Sequence, residues 1–247
     1  MKLTFLGTNG WYDTGTGNTV SALVKTRRFN IVLDAGNGIY KLGEHINPAN
    51  PVFILLSHFH IDHIAGLHLL LKFRFKHGLT ICGGKGARRL LNIFVNKPFT
   101  CPFKGLPYPV KVLELPAQAK DLPFKITTLP LEHADPVLGM RLELEGKTIT
   151  YCTDTGFCPN ALKLAKNADF LITECAHAPG ESNPGWPHFN PETAAKLARE
   201  AGAKRLAITH FSADRYRNAA ARAAGLKISR RIFPRAIAAK DGLRVEV

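Results

Sequence analysis

Three histidines and an aspartate lie within the six residues from His58 to His63. They follow an apolar run at residues 52–56, which predicts a strand that ends just before them. Because His58 and His60 are two residues apart, they point to the same side of an extended segment. Asp62 and His63 then begin a helix and can face a second point. Imidazole nitrogens and carboxylate oxygens suit Zn²⁺, Mn²⁺ or Fe, so this cluster predicts a catalytic metal site rather than a structural one.

Four ligands cannot complete two metal shells, so further ligands are expected where later strands end. His133, Asp154 and His210 each follow a short stretch that reads as a strand. Functional groups of open α/β folds collect at such strand ends, because loops there are held by a rigid sheet. The sequence therefore predicts that these three side chains join the cluster at residues 58–63.

With these residues the chain resembles the metallo-β-lactamase superfamily, whose His-x-His-x-Asp-His motif residues 58–63 match at every specified position. The resemblance covers nearly the whole chain and implies an α/β fold, the four-layer αββα sandwich. It also suggests a role for Asp34, in a strand exit typical of the family, behind the ligands or in the turn. The implied cofactors are two divalent ions, zinc first, with manganese or iron as alternatives. One ion would be held by His58, His60, His133 and Asp154, and the other by Asp62, His63, His210 and Asp154.

The bridging position is an aspartate rather than a cysteine, which resembles the phosphodiesterase and glyoxalase-type branches more than the zinc β-lactamases. Glu174 ends an apolar stretch, and His188 precedes an alanine-rich helix. This arrangement resembles ribonuclease Z, in which such a glutamate and histidine form a pair beside the metals. The segment at residues 209–216 also resembles that family's last ligand motif.

The resemblance implies a dinuclear phosphodiesterase that acts on RNA or on a small (cyclic) phosphodiester through a metal-bridging hydroxide. Two cations lower the pKa of a shared water, and Asp62 would orient that water or accept its proton. His188, oriented by Glu174, would protonate the departing oxygen. The catalytic residues expected are therefore Asp62, Glu174 and His188. The glycine-rich segments at 7–10 and 15–18 either surround the substrate with backbone N–H groups or only connect strands.

Two features depart from the enzymes that process transfer RNA. Only 20 residues separate His133 from Asp154, so the long substrate-gripping arm usual there is absent from that place. Phe189 also follows His188, where that family tends to have a small hydroxyl residue. Both facts weaken a transfer-RNA assignment. The alternatives are a thioesterase or lactonase of the same superfamily, and a nucleic-acid-binding protein with a vestigial site.

Charge indicates an anionic partner. The net charge is +14, and residues 196–247 contain 13 Lys and Arg against four Asp and Glu. A phosphate-tracking surface is one interpretation of this balance, and a solvated basic face is the other. The candidate residues are Arg215, Arg217, Arg222, Arg230, Arg231 and Arg235, together with Lys85, Arg88 and Arg89.

Length and composition set the remaining expectations. A chain of 247 residues that is 45% hydrophobic can bury one full core, so residues 1–247 are expected to form a single domain. Neither a signal peptide nor a membrane-spanning run is present, which predicts a cytoplasmic protein without a membrane partner. Five cysteines without zinc-finger spacing predict reduced, mostly buried thiols. The sequence does not fix the oligomeric state, and a homodimer is one expectation.

Hydrophobic periodicity and the glycine and proline breaks predict alternating strands and helices. Residues 96–109, with four prolines, predict an irregular loop, and Asn190 before Pro191 predicts a helix start. Strands are expected at 2–6, 19–25, 29–34, 52–56, 79–82, 110–114, 123–131, 138–151, 169–173 and 204–209. Helices are expected at 37–45, 63–75, 85–95, 160–166, 191–201 and 215–224.

Overall fold

The computed structural model describes residues 1–247, with fourteen strands, five α-helices and four 3₁₀ segments. The strands are β1 (Lys2–Gly7), β2 (Asn9–Gly10), β3 (Ser21–Lys25), β4 (Asn30–Leu33), β5 (Val52–Leu55), β6 (Leu79–Gly83), β7 (Val110–Glu114), β8 (Lys125–Leu131), β9 (Val137–Leu144), β10 (Lys147–Cys152), β11 (Phe170–Cys175), β12 (Leu206–Ser212), β13 (Ala236–Ala238) and β14 (Arg244–Glu246). The α-helices are α1 (Ile61–Ile64), α2 (Ala87–Phe94), α3 (Pro159–Ala165), α4 (Pro191–Glu200) and α5 (Ala219–Ile232). The 3₁₀ segments are Asn37–Glu44, Ala65–Lys72, Phe103–Gly105 and Ala119–Asp121.

The strands form two mixed sheets. The first has the order β14-β1-β3-β4-β5-β6-β7, and the second has the order β13-β12-β11-β10-β9-β8, with β2 paired to β12. Strands β4 to β7 are parallel to one another, and so are β10 to β13. The carboxyl ends of parallel strands meet at one edge of a sheet, so the loops that follow them are brought together.

Three apolar clusters separate four layers. The central cluster joins the two sheets, with Phe53 of the first sheet 5.1 Å from Phe124, which precedes β8 of the second. A second cluster lies between the second sheet and α3, α4 and α5. The third lies between the first sheet and the helical segments that contain Ile39, Leu67 and Leu91. Helix, sheet, sheet and helix layers in this order are the αββα sandwich that the family resemblance implied.

The burial of strand β5 explains why its apolar run could be recognised in the sequence. All four residues of β5 are buried, because it has parallel neighbours on both sides and layers on both faces. Helix α4 begins as expected: the Asn190 side chain accepts a hydrogen bond from the backbone N–H of Thr193, and Pro191 is its first residue. Residues 96–109 are mainly irregular, also as expected, with one short 3₁₀ turn.

One predicted strand, over residues 138–151, is wrong. Strands β9 and β10 occupy this region as an antiparallel hairpin. Glu145 and Gly146 connect them with φ angles of 50° and 75°. Two positive φ angles match the twist of a two-residue hairpin, and glycine accepts such an angle without strain.

Three predicted helices differ from the structure: the one expected at 37–45 is the 3₁₀ segment Asn37–Glu44, and two others have different bounds. The helix expected at 215–224 begins instead at Ala219, because the Asn218 side chain accepts the backbone N–H of Ala221, and it continues to Ile232. The helix expected at 63–75 is divided into α1 and a 3₁₀ segment. Strands β2, β13 and β14 have two or three residues each, too few for a periodic pattern.

None of the helices is both long enough and apolar enough to cross a lipid bilayer.

Candidate metal centre

The seven predicted ligands form two adjacent groups, and the ligand atoms within each group lie within 4.8 Å of one another. Asp154 lies between the groups. Its Oδ2 is 3.6 Å from Nε2 of His58, and its Oδ1 is 3.4 Å from Nε2 of His63 and 3.3 Å from Nε2 of His210. One carboxylate thus presents one oxygen to each group, which is the geometry of a bridging ligand. The first group is His58, His60, His133 and Asp154, and the second is Asp62, His63 and His210.

Different strands supply these side chains. His58 follows β5, His133 follows β8, Asp154 follows β10, and His210 lies near the end of β12. Asp154 and His210 have φ angles of 46° and 48°, and Asp34, behind them, has 55°. Such left-handed angles are uncommon for residues with a Cβ and are retained where the surrounding structure enforces them. The backbone therefore bends at the points where ligands leave the strands.

Unpaired nitrogen atoms test whether the cluster fits a metal. Nε2 of His58, both ring nitrogens of His133 and Nδ1 of His210 are buried without a hydrogen-bond partner. Burying polar atoms without partners is costly, and a metal ion would satisfy those that face the cluster. Burial also lowers the pKa of His58 and of His133, which keeps these imidazoles neutral, as metal ligation requires. The residues fit divalent ions.

Supporting contacts fix the other two rings. Nε2 of His60 lies 2.8 Å from Asp135 Oδ2, which leaves Nδ1 as the nitrogen that an ion would bind. Nδ1 of His63 lies 2.8 Å from Asp34 Oδ2. A carboxylate only accepts hydrogen bonds, so Nδ1 of His63 carries a proton and Nε2 faces the other ligands. A carboxylate behind a ligating histidine is a common way to set its tautomer and orientation.

Asp34 is the centre of this support. It is fully buried and accepts hydrogen bonds from the backbone N–H and the hydroxyl of Ser57, at 2.7 and 2.8 Å. The Tyr151 hydroxyl donates to it at 2.7 Å. Together with His63, these groups connect the ends of β4, β5 and β10. The strand exit at Asp34 therefore holds a ligand in place, as the resemblance suggested.

Glu174 and His188 form a pair outside both ligand groups. Nδ1 of His188 lies 2.5 Å from Glu174 Oε1, and the backbone N–H groups of Thr155 and Ala176 also donate to Glu174. Burial lowers the pKa of His188, but the charge and hydrogen bond of Glu174 outweigh that effect and raise it to about 9. The His188 ring lies 5.1 Å from the ring of His133. The charged imidazole of His188 thus lies beside the predicted metal ligands.

The glycine-rich segment is a structural connection, which was the second of the two interpretations. Strand β2 pairs with β12, and Gly10 packs against His210 so closely that a Cβ would lie 2.4 Å from the ring. The Asn9 amide donates to the Tyr12 carbonyl and the Thr14 hydroxyl. Most of the segment's polar groups are therefore used within the fold, where they place His210.

Two arginines expected to track phosphates are engaged elsewhere. Arg222 is buried and donates to the Thr8 hydroxyl at 2.9 Å, so its placement on a phosphate-tracking surface is wrong. Arg215 lines the cavity, but Glu181 holds its guanidinium by two hydrogen bonds. The last three candidates lie at or beyond the C-terminal end of α5, a helix about 20 Å long. They are Arg230, Arg231 and Arg235, all exposed.

The second group of basic candidates lies at the edge that carries the metal cluster. Lys85, Arg88 and Arg89 are exposed and follow β6, which is the parallel neighbour of β5. Gly83, at the end of β6, packs against the ring of Phe59, which stands between two of the predicted ligands. These three cations are therefore better placed to meet a polyanion at the site.

A cavity of about 440 Å³ opens over the cluster. Several of its lining residues were not singled out from the sequence, because none belongs to a recognised ligand motif. Trp11 and Trp186 are exposed aromatic residues at its rim, and a lone exposed tryptophan has no distinctive sequence signal. The others are Ala176, His177 and Asn183.

Comparisons with known proteins identify the family of the chain. Residues 29–211 match a family model described as a beta-lactamase superfamily domain. A probable metallo-hydrolase, YhfI of Bacillus subtilis (strain 168), is 28% identical over 220 residues, covering 85% of this chain and 87% of YhfI. A ribonuclease Z of Prochlorococcus marinus (strain MIT 9301) is 27% identical over 316 aligned positions, covering 100% of both chains.

Among solved structures, the crystal structure of the metallo-beta-lactamase fold protein YhfI from Bacillus subtilis superposes with a TM-score of 0.82 at 24% identity. The match covers 100% of this chain and 98% of that one. The architecture and the family match agree, and the fold implies divalent metal binding. The chain belongs to the metallo-β-lactamase superfamily.

Proposed function

We propose that the protein is a dinuclear metal-dependent phosphodiesterase of ribonuclease Z-like type. Membership of a metallo-hydrolase superfamily supports a hydrolase, and the names of relatives such as ribonuclease Z support phosphodiester chemistry. The observation that carries the finer proposal is the buried pair of Glu174 and His188, which lies beside the ligand groups and belongs to neither. A proton donor beside the ligand groups is useful when the leaving group is an alkoxide, because an alkoxide departs poorly unless it is protonated.

The seven clustered side chains would hold two ions that share Asp154. Nitrogen and oxygen donors without thiolates suit zinc first, and manganese or iron next. When bound, two such cations supply Lewis acidity and lower the pKa of water. The ligand assignment is the first group with Asp154 for one ion, and the second group with Asp154 for the other.

The protein's own residues would then hold and move protons. Asp62 is ionised, because the neighbouring His63 and His210 outweigh the effect of burial and lower its pKa well below the ordinary value. Its Oδ2 accepts the backbone N–H of Trp11 at 2.7 Å, which fixes the carboxylate. Of the two roles expected for Asp62, the ionised carboxylate therefore suits orienting a water molecule better than accepting its proton, because so low a pKa makes it a weak base.

His188 supplies the opposite transfer. Nδ1 is committed to Glu174, so Nε2 is the nitrogen that donates a proton to the departing alkoxide. Protonation of that oxygen removes the need to expel a strong base. Glu174 is itself held by two backbone N–H groups, so it orients the imidazole and stabilises its charged form.

The substrate class proposed is RNA or a small, including cyclic, phosphodiester. The 20 residues between His133 and Asp154 are largely taken up by the hairpin of β9 and β10. No substrate-gripping arm extends from this place, which argues against a specialised transfer-RNA enzyme. The net charge of +14 supports an anionic substrate.

A substrate screen tests the proposal. Metal-loaded protein is compared on bis(p-nitrophenyl) phosphate, cyclic nucleotides, a precursor transfer RNA, a thioester and a lactone. We expect turnover of phosphodiesters and none of the other two classes. Turnover of a thioester or lactone without any diester hydrolysis would overturn the proposal and establish the alternative function.

Three further expectations belong to the same proposal. Residues 1–247 are proposed to form one domain, which the central cluster shared by both sheets supports. A cytoplasmic location is supported by five free cysteines, four of them buried.

A homodimer is supported by exposed apolar side chains beside α1 and α2, including Ile61, Ile93 and Phe99. Sedimentation of wild type and Ile93→Glu tests the dimer, which the variant should dissociate.

A further inference from the structure

Trp11 and Trp186 are the chain's only tryptophans, and both line the cavity over the metal cluster. Trp11 is 68% exposed and Trp186 is 45% exposed. Indole rings of this size are usually buried, because exposing them forfeits a large hydrophobic gain. Two exposed indoles at one cavity therefore need an explanation that involves a ligand.

Trp186 stands beside the first ligand group. Its backbone N–H donates to the Asn183 carbonyl at 3.1 Å, closing the turn Asn183-Pro184-Gly185-Trp186, in which proline and glycine occupy the central positions. The indole is parallel to the His60 ring at 6.0 Å, and it meets the His133 ring near its edge at 5.1 Å. The turn thus presents one face of the indole at the cavity.

Trp186 also lies on the side of the proposed proton donor. The centres of the Trp186 and His188 rings are 6.4 Å apart. A substituent that leaves with the oxygen protonated by His188 would therefore depart past this indole.

Trp11 stands beside the second ligand group. Its φ angle is 73°, a left-handed value that is strained for a bulky residue. The backbone N–H of Trp11 donates a hydrogen bond to the Asp62 carboxylate, which holds this conformation. The neighbouring Tyr12 packs edge-on at 5.2 Å and is anchored through its hydroxyl to Asp214 at 2.6 Å. Backbone strain that the fold maintains is concentrated at functional positions.

We propose that Trp11 and Trp186 are stacking surfaces for two nucleobases, one on each side of the scissile phosphate. This inference rests on the proposed phosphodiesterase function. A phosphate positioned over both ligand groups has two ester substituents that diverge, and each indole stands by one group. Flat aromatic surfaces bind nucleobases without sequence preference, because every base offers a π-face. This proposal narrows the substrate class to phosphodiesters that join two nucleosides, as in single-stranded RNA or a dinucleotide.

The surrounding polar groups match such a ligand. Asn183 and Ser212 line the same cavity and offer hydrogen-bonding groups for ribose or base edges. A diester of simple alkyl alcohols would offer neither indole a flat surface to stack on. Stacking typically strengthens binding by roughly 5- to 150-fold per base.

Intrinsic fluorescence provides the test, because these two residues are the only indoles. Full-length metal-loaded protein is titrated with a non-hydrolysable form of the dinucleotide adenylyl-adenosine, in which methylene groups replace the bridging oxygens. Excitation is at the red edge of indole absorption, where adenine does not absorb. Trp11→Phe leaves Trp186 as the sole reporter, and Trp186→Phe leaves Trp11. We expect quenching in both variants, and none with ribose 5-phosphate or inorganic phosphate.

Affinities complete the experiment. Trp11→Ala and Trp186→Ala should each weaken binding of this non-hydrolysable dinucleotide by roughly 5- to 150-fold. The phenylalanine variants should retain most of it, because a smaller ring still stacks. Tyr40→Ala is the matched control, since Tyr40 is also exposed, at 41%, but does not line this cavity. Its affinity should equal that of wild type.

The outcomes separate the two proposals. Absence of base-dependent quenching, or equal affinities for the tryptophan, phenylalanine and alanine forms, overturns the stacking role even if metal-loaded protein hydrolyses diesters. Base-dependent quenching in protein that hydrolyses no diester supports the stacking role and leaves the phosphodiesterase proposal as the one that failed.

Discussion

His188 and Glu174 are joined by a hydrogen bond of 2.5 Å between Nδ1 and Oε1, with the carboxylate fully buried. A carboxylate at a strand end is more often solvated, and here it accepts two backbone N–H groups as well as the imidazole. Its charge is therefore compensated entirely by protein groups. This arrangement explains why the charged form of the His188 imidazole is favoured.

The first prediction concerns this protonation. The ordinary histidine pKa is about 6.5, and Glu174 raises that of His188 to about 9 despite burial. The acid form should therefore persist through neutral pH and be lost as the pH rises through about 9. The charged His188 paired with Glu174 should stabilise the fold fully below pH 6.5. This stabilisation should disappear as the pH rises from 6.5 through about 9. Nuclear magnetic resonance of the ring protons in metal-free protein measures the pKa.

The control for that titration is Glu174→Gln. The amide removes the charge that raises the pKa, so the His188 pKa should fall towards its ordinary value or below it. An unchanged pKa in this variant would show that another group sets the protonation of His188.

The second prediction concerns metal content. Reconstituted wild-type protein should contain about two transition-metal ions per chain, because the clustered ligands form two shells that share Asp154. Asp154→Ala removes an oxygen from each shell and should lower the content and abolish hydrolysis. Cys175→Ala is the control, since its thiol contacts the Tyr216 hydroxyl and no ligand. Elemental analysis that finds one ion or fewer in wild type would refute the dinuclear assignment.

The third prediction concerns Asp34. Asp34→Asn should weaken metal binding by about 10- to 100-fold, because it removes the carboxylate that orients His63. Competition with a chelator measures the affinity. Tyr151→Phe deletes another hydrogen bond to the same carboxylate and should have a much smaller effect. Equal effects of both substitutions would mean that packing, rather than orientation of His63, is what Asp34 provides.

The fourth prediction concerns charge. If RNA is bound at the site, Arg88→Ala with Arg89→Ala should flatten the dependence of RNA affinity on salt, since each lost phosphate contact lowers the slope by about one. Arg230→Ala with Arg231→Ala removes the same charge at the far end of α5 and should leave the slope unchanged. Turnover of a small chromogenic diester should be similar in all forms. The reverse ranking would place the polyanion on the opposite edge.

His133 follows β8, in which exposed and buried residues alternate, but the other predicted metal ligands follow or end strands β5, β10 and β12, whose last residues are all buried. A strand buried in this way appears in the sequence as an uninterrupted apolar run, and a histidine or aspartate directly after it stands out. The His-x-His-x-Asp-His spacing then specifies the first strand end. The structure brings these residues together as the pattern indicated, and the number and identity of the metal ions stay predictions.

Other features had no local signal. Whether an arginine is free depends on distant partners, so the sequence alone could not reveal that Thr8 engages Arg222 or that Glu181 engages Arg215. The two-residue turn at Glu145-Gly146 was hidden inside a continuous β-prone stretch. The tryptophans at the cavity rim are defined by exposure, which only the assembled fold determines.

Leaving-group dependence tests the central claim most directly. His188→Ala should retain both metals, because His188 belongs to neither ligand group, yet slow hydrolysis of an unactivated diester by roughly 10² to 10⁴. With a p-nitrophenyl leaving group, which departs without a proton, the loss should be much smaller, and Glu174→Gln should follow the same pattern more weakly. Depletion of metal in His188→Ala, or an equal loss on both substrates, would contradict the role of His188 as proton donor.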